Sequence, residues 1–335
     1  MLRYVRLCRN QASKHFCPFS PKFLGSFLSQ NGRRCFFSFS KPFTAGTVSP
    51  TLPVPVHIEK PMYSESGEVP PPDPWVHIHT AASIEKMRIA GRIARQSLDL
   101  ACSLAKVGRT TDEIDGVVHE MIVSSGAYPA PRNYKGFPKS LVTAINQVIC
   151  HGIPDDRPLQ YGDVASFDAS VYVGGVFGDN CATVIVGDDG DDGGGGEGGE
   201  EVDVEGARRL VKATQECLDA GIAECGPGKC LSSIGHAIEA VADSYGYQSV
   251  RAYCGHGIGT GFHMLPFVQH FRNDDRLELR PGMIFTIEPM ITEGSQESVL
   301  AEDNWTVYTR DGKRAAQFEH TVLITEDGVE VITVP

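Results

Sequence analysis

Five residues of this 335-residue chain have the chemistry of hard-metal ligands: Asp168, Asp179, His256, Glu288 and Glu319. Asp168 ends the run Val164-Ala165-Ser166-Phe167-Asp168, and Glu288 ends Met283-Ile284-Phe285-Thr286-Ile287-Glu288 ahead of Pro289. A carboxylate buried in such apolar company is costly unless it meets a cation or strong hydrogen bonds. Any one acid on a strand is ordinarily a solvent-facing residue; five such sites together are not explained that way. Asp168 and Asp179 flank Gly174-Gly175, which predicts a hairpin turn with both aspartates close on paired strands. Four carboxylates and one imidazole suit divalent Mn, Fe or Co better than a thiolate zinc site. Two such ions about 3.5–4 Å apart can share a water and bring its ionisation near neutral pH. The hydroxide so formed can attack a peptide carbonyl.

Histidines sharpen this chemistry. His151 lies in Cys150-His151-Gly152-Ile153-Pro154, and His256 and His263 lie in the segment GHGIGTGFH (255–263). Flanking glycines let backbone and substrate approach closely. Taken singly, each histidine is equally well a hydrogen-bonded core residue. The GHGIG run lacks the GxGxxG spacing and the lysine of a phosphate loop.

The elements that must carry these residues are legible in the apolar periodicity. Met87, Ala90, Ala94, Leu98, Ala101 and Ala105 recur at helical spacing from about Ser83, and Gly108 ends the run. Thr110 and Glu113 form a capping box for a second helix carrying Ile114, Val117, Met121 and Ile122. Strands are predicted at Leu141–Ile149, Val164–Val173 and Val176–Val186. Helices follow from about Ala207 to Ala223 and up to Gly246, then strands at Met283–Ile291, Trp305–Thr309 and Ala316–Thr325. Two successive helix–helix–hairpin units point to an α+β fold of two related halves around one site.

Charge is split along the chain. The net charge is −12, yet residues 1–58 hold eight Lys or Arg and no Asp or Glu. A basic, Ser- and Phe-rich leader is the composition of an organellar transit peptide, here expected to be disordered. Arg3, Arg6 and Arg9 would line one face of a short helix, which favours mitochondria over plastids. Proline-rich residues 42–76 read as an extended arm rather than a packed domain. The domains expected are a leader (1–58), an arm (59–82) and a catalytic domain (83–335). Within the last, the acidic Gly-rich stretch 187–206 is expected to be a disordered loop. The acidic body speaks against nucleic-acid binding, and no apolar run reaches the about 18 residues of a membrane span. The ten scattered cysteines include no Cys-x-x-Cys pair and read as free thiols.

These motifs resemble type I methionine aminopeptidases, from about Ser83 to Pro335. The matching segments are NYKGFPKS (133–140), INQVICHGIPD (145–155), GDVASFD (162–168), GDN (178–180), YCGHGIGTGFH (253–263), PGMIFTIEPM (281–290) and WTVYTRDGKRAAQFEHT (305–321). The resemblance implies a pita-bread fold and removal of an initiator methionine that precedes a small residue. It implies that Asp168, Asp179, His256, Glu288 and Glu319 hold two divalent ions (Co, Mn, Fe or Zn). Glu288 would be an acid/base for the water, His263 would contact the scissile amide, and His151 would position substrate. Tyr134, Phe137, Phe262 and Trp305 would line the methionine pocket, where sulfur–aromatic contacts favour a thioether. The implied partners are N-terminal peptides of nascent proteins, with the organellar ribosome as a further candidate, and the implied state is a monomer. The VSPTLPVPVHIEKP segment (48–61) resembles the arm of organellar members, and only 25 residues separate His263 from Glu288, so the long insertion of type II enzymes is absent.

Departures from the family pattern fall at Phe177 (usually His), Val142 (often a small or thiol residue), Phe267 (often acidic or polar) and Gln147 (commonly Glu). None removes a ligand. An Xaa-Pro aminopeptidase of the same fold and a non-catalytic binding relative are the competing readings. The CHGIP segment and the TIEPM context of Glu288 favour the methionine enzyme over the first, and the complete ligand set disfavours the second.

Overall fold

The computed structural model describes residues 43–188 and 202–335. Most of the expected leader and the central part of the acidic stretch lie outside the described residues. Helix α1 (Ala81–Leu104) starts two residues ahead of the predicted Ser83, because the Thr80 side chain accepts the Ser83 N–H and caps it. It buries Met87, Ala90, Ala94, Leu98 and Ala101 as the spacing predicts. Helix α2 (Thr111–Ser124) has the expected capping box, with Glu113 N–H donating to Thr110 and Thr110 N–H to Glu113, both at 3.1 Å. Its inner face is rotated slightly from the prediction: Ile114, Val118 and Ile122 are buried, whereas Val117 is exposed.

Strands β1 (Tyr128–Pro129), β2 (Val142–Ile145) and β3 (Val148–Cys150) follow, then β4 (Val164–Val173) and β5 (Val176–Ile185). Leu141–Ile149, expected as one strand, is broken at Asn146, whose left-handed φ of 54° turns the chain. The β4–β5 hairpin runs in register from Val164↔Ile185 to Val173↔Val176, with left-handed Gly174 and Gly175 forming the turn. Helices α3 (Val204–Ala223) and α4 (Ser232–Tyr245) repeat the helix pair, and left-handed Gly246 ends α4. Then come β6 (Gln248–Ser249), β7 (Gly255–Gly257), β8 (Met264–Val268), β9 (Ile284–Ile287), β10 (Met290–Thr292), β11 (Ser298–Leu300), β12 (Val307–Thr309), β13 (Ala315–Gln317), β14 (His320–Ile324) and β15 (Val329–Val331).

The sheet pairings are antiparallel, and the helix-pair-then-strands order occurs twice, which agrees with the α+β expectation. One apolar core lies under α1 and α2, and a second lies under α3 and α4. The two long strands predicted at Met283–Ile291 and Ala316–Thr325 are each split in two. Pro289 has no N–H for the ladder, so the pairing lapses there and the chain passes from one sheet to the next. Register is kept across the gap: His320 faces Ile287 on one side and Gln317 faces Met290 on the other. Glu288 and Glu319 therefore stand opposite each other at the interruption.

The proline-rich arm is extended, yet it is packed on the body rather than standing off it. Val54, Ile58 and Tyr63 are buried in the first core. An extended proline-rich backbone leaves its polar groups for other partners, and side chains of the body meet them. Arg132 donates to the Leu52 carbonyl at 2.7 Å, His119 Nε2 lies 3.1 Å from the Pro53 carbonyl, and Asp155 accepts the Gly46 N–H at 2.9 Å. Ser49 donates to Asp112 at 2.8 Å and accepts from the buried Lys139. Residues 43–58 thus belong to the folded body, although sequence composition groups them with the leader. Removing them exposes core surface and strips Lys139 of a partner. A chain starting at Glu59 is expected to be less stable than one starting at Phe43 by roughly 3–5 kcal/mol, from the burial of two aliphatic side chains. That corresponds to a melting temperature lower by about 6–12 °C in thermal denaturation; coincident melting curves would show that the segment contributes nothing.

Among the described residues the cysteines are all free, and no helix is long and apolar enough to cross a membrane.

Candidate metal centre

The pleat decides which side chains meet. Asp168 on β4 pairs with Cys181 on β5, while Asp179, two residues before Cys181, shares its face. Glu319 pairs with Cys181 from the other side through reciprocal backbone hydrogen bonds of 2.8 and 3.4 Å. Asp168, Asp179 and Glu319 therefore project to one side of the same backbone array, and Glu288 stands across from Glu319. Strand β7 brings in His256, whose Nε2 lies 3.6 Å from both Asp179 Oδ2 and Glu288 Oε1. Glycine on both sides of His256 is obligatory: a Cβ at Gly255 would come within 2.3 Å of the Thr286 carbonyl, and one at Gly257 within 2.1 Å of the Leu265 carbonyl.

Ligand-capable atoms of Asp179, His256 and Glu319 lie within 4.8 Å of one another. The side chains of all three are almost wholly buried, yet Asp179 Oδ1 and Glu319 Oε1 have no hydrogen-bond partner. Orphaned buried carboxylate oxygens beside an imidazole are what a bound cation would satisfy, so the residues present fit a divalent metal. Electrostatics agree. Burial, then Asp179 and Glu288, drive the Asp168 carboxyl well above the usual carboxylate range. Burial and then Asp179, Glu288 and Asp168 do the same to Glu319. Glu288 is pushed up to about 7, chiefly by burial, with His256 opposing and Asp179 reinforcing the rise. Burial alone would lower the His256 imidazole; the facing Asp179 and Glu288 carboxylates reverse this and raise it.

Neighbours that the metal-ligand pattern does not reveal fix these groups. Thr286 Oγ1 accepts the His256 N–H at 2.9 Å and donates to Glu288 Oε1 at 2.9 Å. Ser170 donates to Asp168 at 3.3 Å. The Glu288 N–H donates to His270 Nε2 at 3.1 Å, and burial pulls the His270 imidazole down to about 3, which keeps that nitrogen an acceptor. His256 Nδ1 lies 3.2 Å from the Gly257 carbonyl, which leaves Nε2 to face the carboxylates. Thr286 and Ser170 each lie two residues from a predicted ligand on a strand, so the alternation of faces contained the signal for them.

An aromatic wall adjoins the cluster. His263 lies 4.2 Å from His256, ring to ring, and its Nδ1 is 2.8 Å from the Tyr134 hydroxyl. Tyr134 meets Phe262 edge-on at 5.2 Å. Phe137 meets Trp305 edge-on at 5.1 Å, and Trp305 lies 6.3 Å from His151. The residues expected to line the pocket thus fall in two aromatic pairs, Tyr134 with Phe262 and Phe137 with Trp305. Burial, then His256, His151 and Lys135, hold the His263 imidazole well below its ordinary range; burial and Lys135 lower His151 to about 4. His151 has a left-handed φ of 56°.

Tyr63 of the arm was not foreseen at the site. It packs edge-on against Tyr134 at 5.1 Å and stacks on Phe177 at 6.3 Å. Phe177, in the place where the family usually has histidine, lies parallel to Phe262 at 4.9 Å and extends the apolar stack. Val142 is buried directly opposite Asp168, and Phe267 pairs with His256. Gln147 lies in the turn between β2 and β3, where its carbonyl accepts the Thr309 N–H.

Comparison with known proteins places the chain in a family. The model of metallopeptidase family M24 matches residues 85–326. Methionine aminopeptidase 1D, chloroplastic/mitochondrial, of Arabidopsis thaliana is 46% identical over 293 residues, covering 88% of this chain and 80% of the relative. Mitochondrial methionine aminopeptidase 1D of Homo sapiens is 44% identical over 286 residues, covering 85% and 81%. The crystal structure of methionine aminopeptidase from Rickettsia prowazekii superposes with a TM-score of 0.72 at 41% identity, covering 78% of this chain and all of that one. Prolidase from Pyrococcus furiosus, at 21% identity and a TM-score of 0.56 over 77% of this chain, shares the fold. That fold is the pita-bread arrangement expected from the motifs, and the chain belongs to metallopeptidase family M24.

Proposed function

We propose that this chain is a metal-dependent methionine aminopeptidase that removes the N-terminal methionine of nascent proteins when the second residue is small. The observation that carries the reading is the junction of two things. Asp179 and Glu319 present unsatisfied buried oxygens beside His256, and the wall next to them is built from Tyr134, Phe262, Phe137 and Trp305. Asp168, Asp179, His256, Glu288 and Glu319 would hold two divalent cations, of Mn, Fe, Co or Zn type. When bound, the cations supply the positive charge that acidifies a water near neutral pH and polarises the scissile carbonyl.

The protein's own groups do the rest. Glu288, held by Thr286, moves the proton of the attacking water towards the departing amine. His263, kept neutral by burial, takes the Tyr134 hydroxyl at Nδ1 and so presents Nε2–H to the scissile amide. His151 holds the substrate backbone from the other side. The aromatic wall accepts a flexible thioether and excludes water. Prolidase-type activity has the weaker support, since the likeness to prolidases extends to the fold alone.

The decisive assay is release of free methionine from Met-Ala-Ser, measured against Ala-Pro-Ala, before and after metal removal with a chelator. Cleavage of the first peptide is expected, lost on chelation by more than about 100-fold and restored by divalent metal. Preference for Ala-Pro-Ala, or turnover indifferent to chelation, would overturn the reading.

The partners are N-terminal segments of nascent proteins, with an organellar ribosome as the proposed context and a monomer as the proposed state. The basic leader and the mitochondrial or chloroplastic names of relatives support an organellar address, and mitochondria are proposed. The packed contacts of residues 43–58 support a leader that ends ahead of Phe43, with residues 83–335 as the catalytic domain and the arm laid along it. Fluorescent fusions of the full chain, and of a chain lacking residues 1–42, separate mitochondrion from plastid.

A further inference from the structure

Lys135 is a charged residue at the aromatic wall that the mechanism does not use. It lies in the short 3-10 turn Tyr134–Gly136, between the two wall residues Tyr134 and Phe137. Its backbone is left-handed, with φ 50° and ψ 30°, and Asn133 and Gly136 beside it are left-handed as well. A non-glycine residue in this conformation is uncommon and is held only by its surroundings. Here the turn is closed by backbone hydrogen bonds from Asn133 N–H to the Phe137 carbonyl at 2.8 Å and from Phe137 N–H to the Tyr134 carbonyl at 3.0 Å. The geometry fixes where the side chain starts. Its ammonium sits 5.4 Å from the centre of the Tyr134 ring, on the residue whose hydroxyl contacts His263. The same positive charge is felt by both His151 and His263, the two histidines proposed to hold the scissile bond. Lys135 as a whole remains exposed to solvent.

The site therefore has opposite signs at its two ends. Its floor carries four carboxylates, which draw in cations and the N-terminal ammonium of a substrate. Its rim carries a lysine. A peptide bound with its first residue against the aromatic wall must run outward past that rim, at about 3.3–3.6 Å per residue if extended. The side chains within reach of a lysine there are those one or two residues beyond the small second residue.

We propose that Lys135 is a specificity-determining residue that favours N-terminal sequences with an aspartate or glutamate at the third or fourth position. This rests on the aminopeptidase reading above. A partly dehydrated ammonium attracts a carboxylate at the same rim more strongly than free solvent charges would allow, and salt weakens the attraction.

The test compares Met-Ala-Glu-Ser-amide with Met-Ala-Gln-Ser-amide in the metal-loaded full chain; the blocked C-terminus removes the competing carboxylate. The quantity read is the ratio of the two kcat/KM values within each protein, so any general loss of activity cancels. The native enzyme is expected to prefer the acidic peptide by about five- to tenfold at low salt. The ratio falls to about one in Lys135→Gln, is kept in Lys135→Arg, and declines in the native enzyme as salt is raised to about 0.5 M, where the Debye length is only a few ångströms. A native ratio of one, or a ratio that Lys135→Gln or salt leaves unchanged, overturns the proposal. If the Gln variant does not fold, the salt series on the native enzyme still decides. Failure to cleave either peptide would count against the aminopeptidase reading itself, whereas cleavage of both at equal rates rejects only the role of Lys135.

Discussion

Glu319→Gln is expected to do two opposite things: weaken metal binding by more than about 100-fold, and make the metal-free protein more stable. A change in a group behind a metal ligand typically costs about 10–100-fold in affinity, and losing a ligand itself costs more. The stability gain follows from the same geometry. Without cations, Glu319 is buried among Asp168, Asp179 and Glu288, and its Oε1 has no partner. An amide of the same shape removes one acidic group and offers an N–H to the orphaned Asp179 Oδ1. Burial and the neighbouring carboxylates hold the Glu319 carboxyl well above its ordinary range, so near neutral pH the metal-free protein must take up a proton there to fold, a cost that an amide does not carry. A gain of about 1–2 kcal/mol raises the melting temperature of a domain of this size by about 2–6 °C. Calorimetric titration with Mn or Co, and thermal melts of chelator-treated protein, read the two effects separately. A variant that binds metal as the native protein does, or that melts lower when metal-free, would show that Glu319 is a structural acid. This opposition of sign distinguishes a ligand from a core residue, because a lost core contact lowers stability in both states.

Much of this site was legible before the fold was known. The apolar settings of Asp168 and Glu288 gave them away, because a strand with one buried face has no other use for a carboxylate. The Gly174-Gly175 turn fixed the hairpin register and hence the shared face of Asp168 and Asp179. What periodicity cannot show is where one strand becomes two. Met283–Ile291 and Ala316–Thr325 read as continuous, yet each breaks at its glutamate, beside the proline that cannot join the ladder. The sequence motif marked the two glutamates as candidate ligands; only the pairing of His320 with Ile287 and Gln317 with Met290 shows why they oppose each other. The packing of the arm escapes the sequence pattern for a related reason. Proline-rich segments have no period, so nothing in the pattern says which face is buried. Tyr63 and Ile58 enter the core through isolated insertions, and the arm's backbone is held by side chains from distant parts of the chain. Val117 and Val118 show the limit of helical spacing: two adjacent valines satisfy the pattern equally well, and tertiary packing chose the second.

His263→Ala is expected to lower kcat by about 100–1000-fold while leaving metal content and fold intact, the loss typical for removing a donor that meets developing negative charge. The argument rests on how the imidazole is held. Tyr134 contacts Nδ1 at 2.8 Å, and Phe262 and His256 lie 4.5 and 4.2 Å from the ring, so the side chain has one orientation and one free nitrogen. His263 is not one of the five candidate ligands and its Nδ1 is engaged by Tyr134, which is why metal should stay. Tyr134→Phe should cost less, about tenfold, because it removes the partner that selects the tautomer without removing the imidazole. The two variants together should be far from additive, since Tyr134 acts only through His263; the double variant is expected to resemble His263→Ala alone. Elemental analysis establishes that metal is retained, and steady-state kinetics on Met-Ala-Ser gives the losses. An unchanged kcat in His263→Ala would remove this residue from the chemistry, and additive losses in the double variant would mean that Tyr134 serves the methionine pocket rather than the histidine.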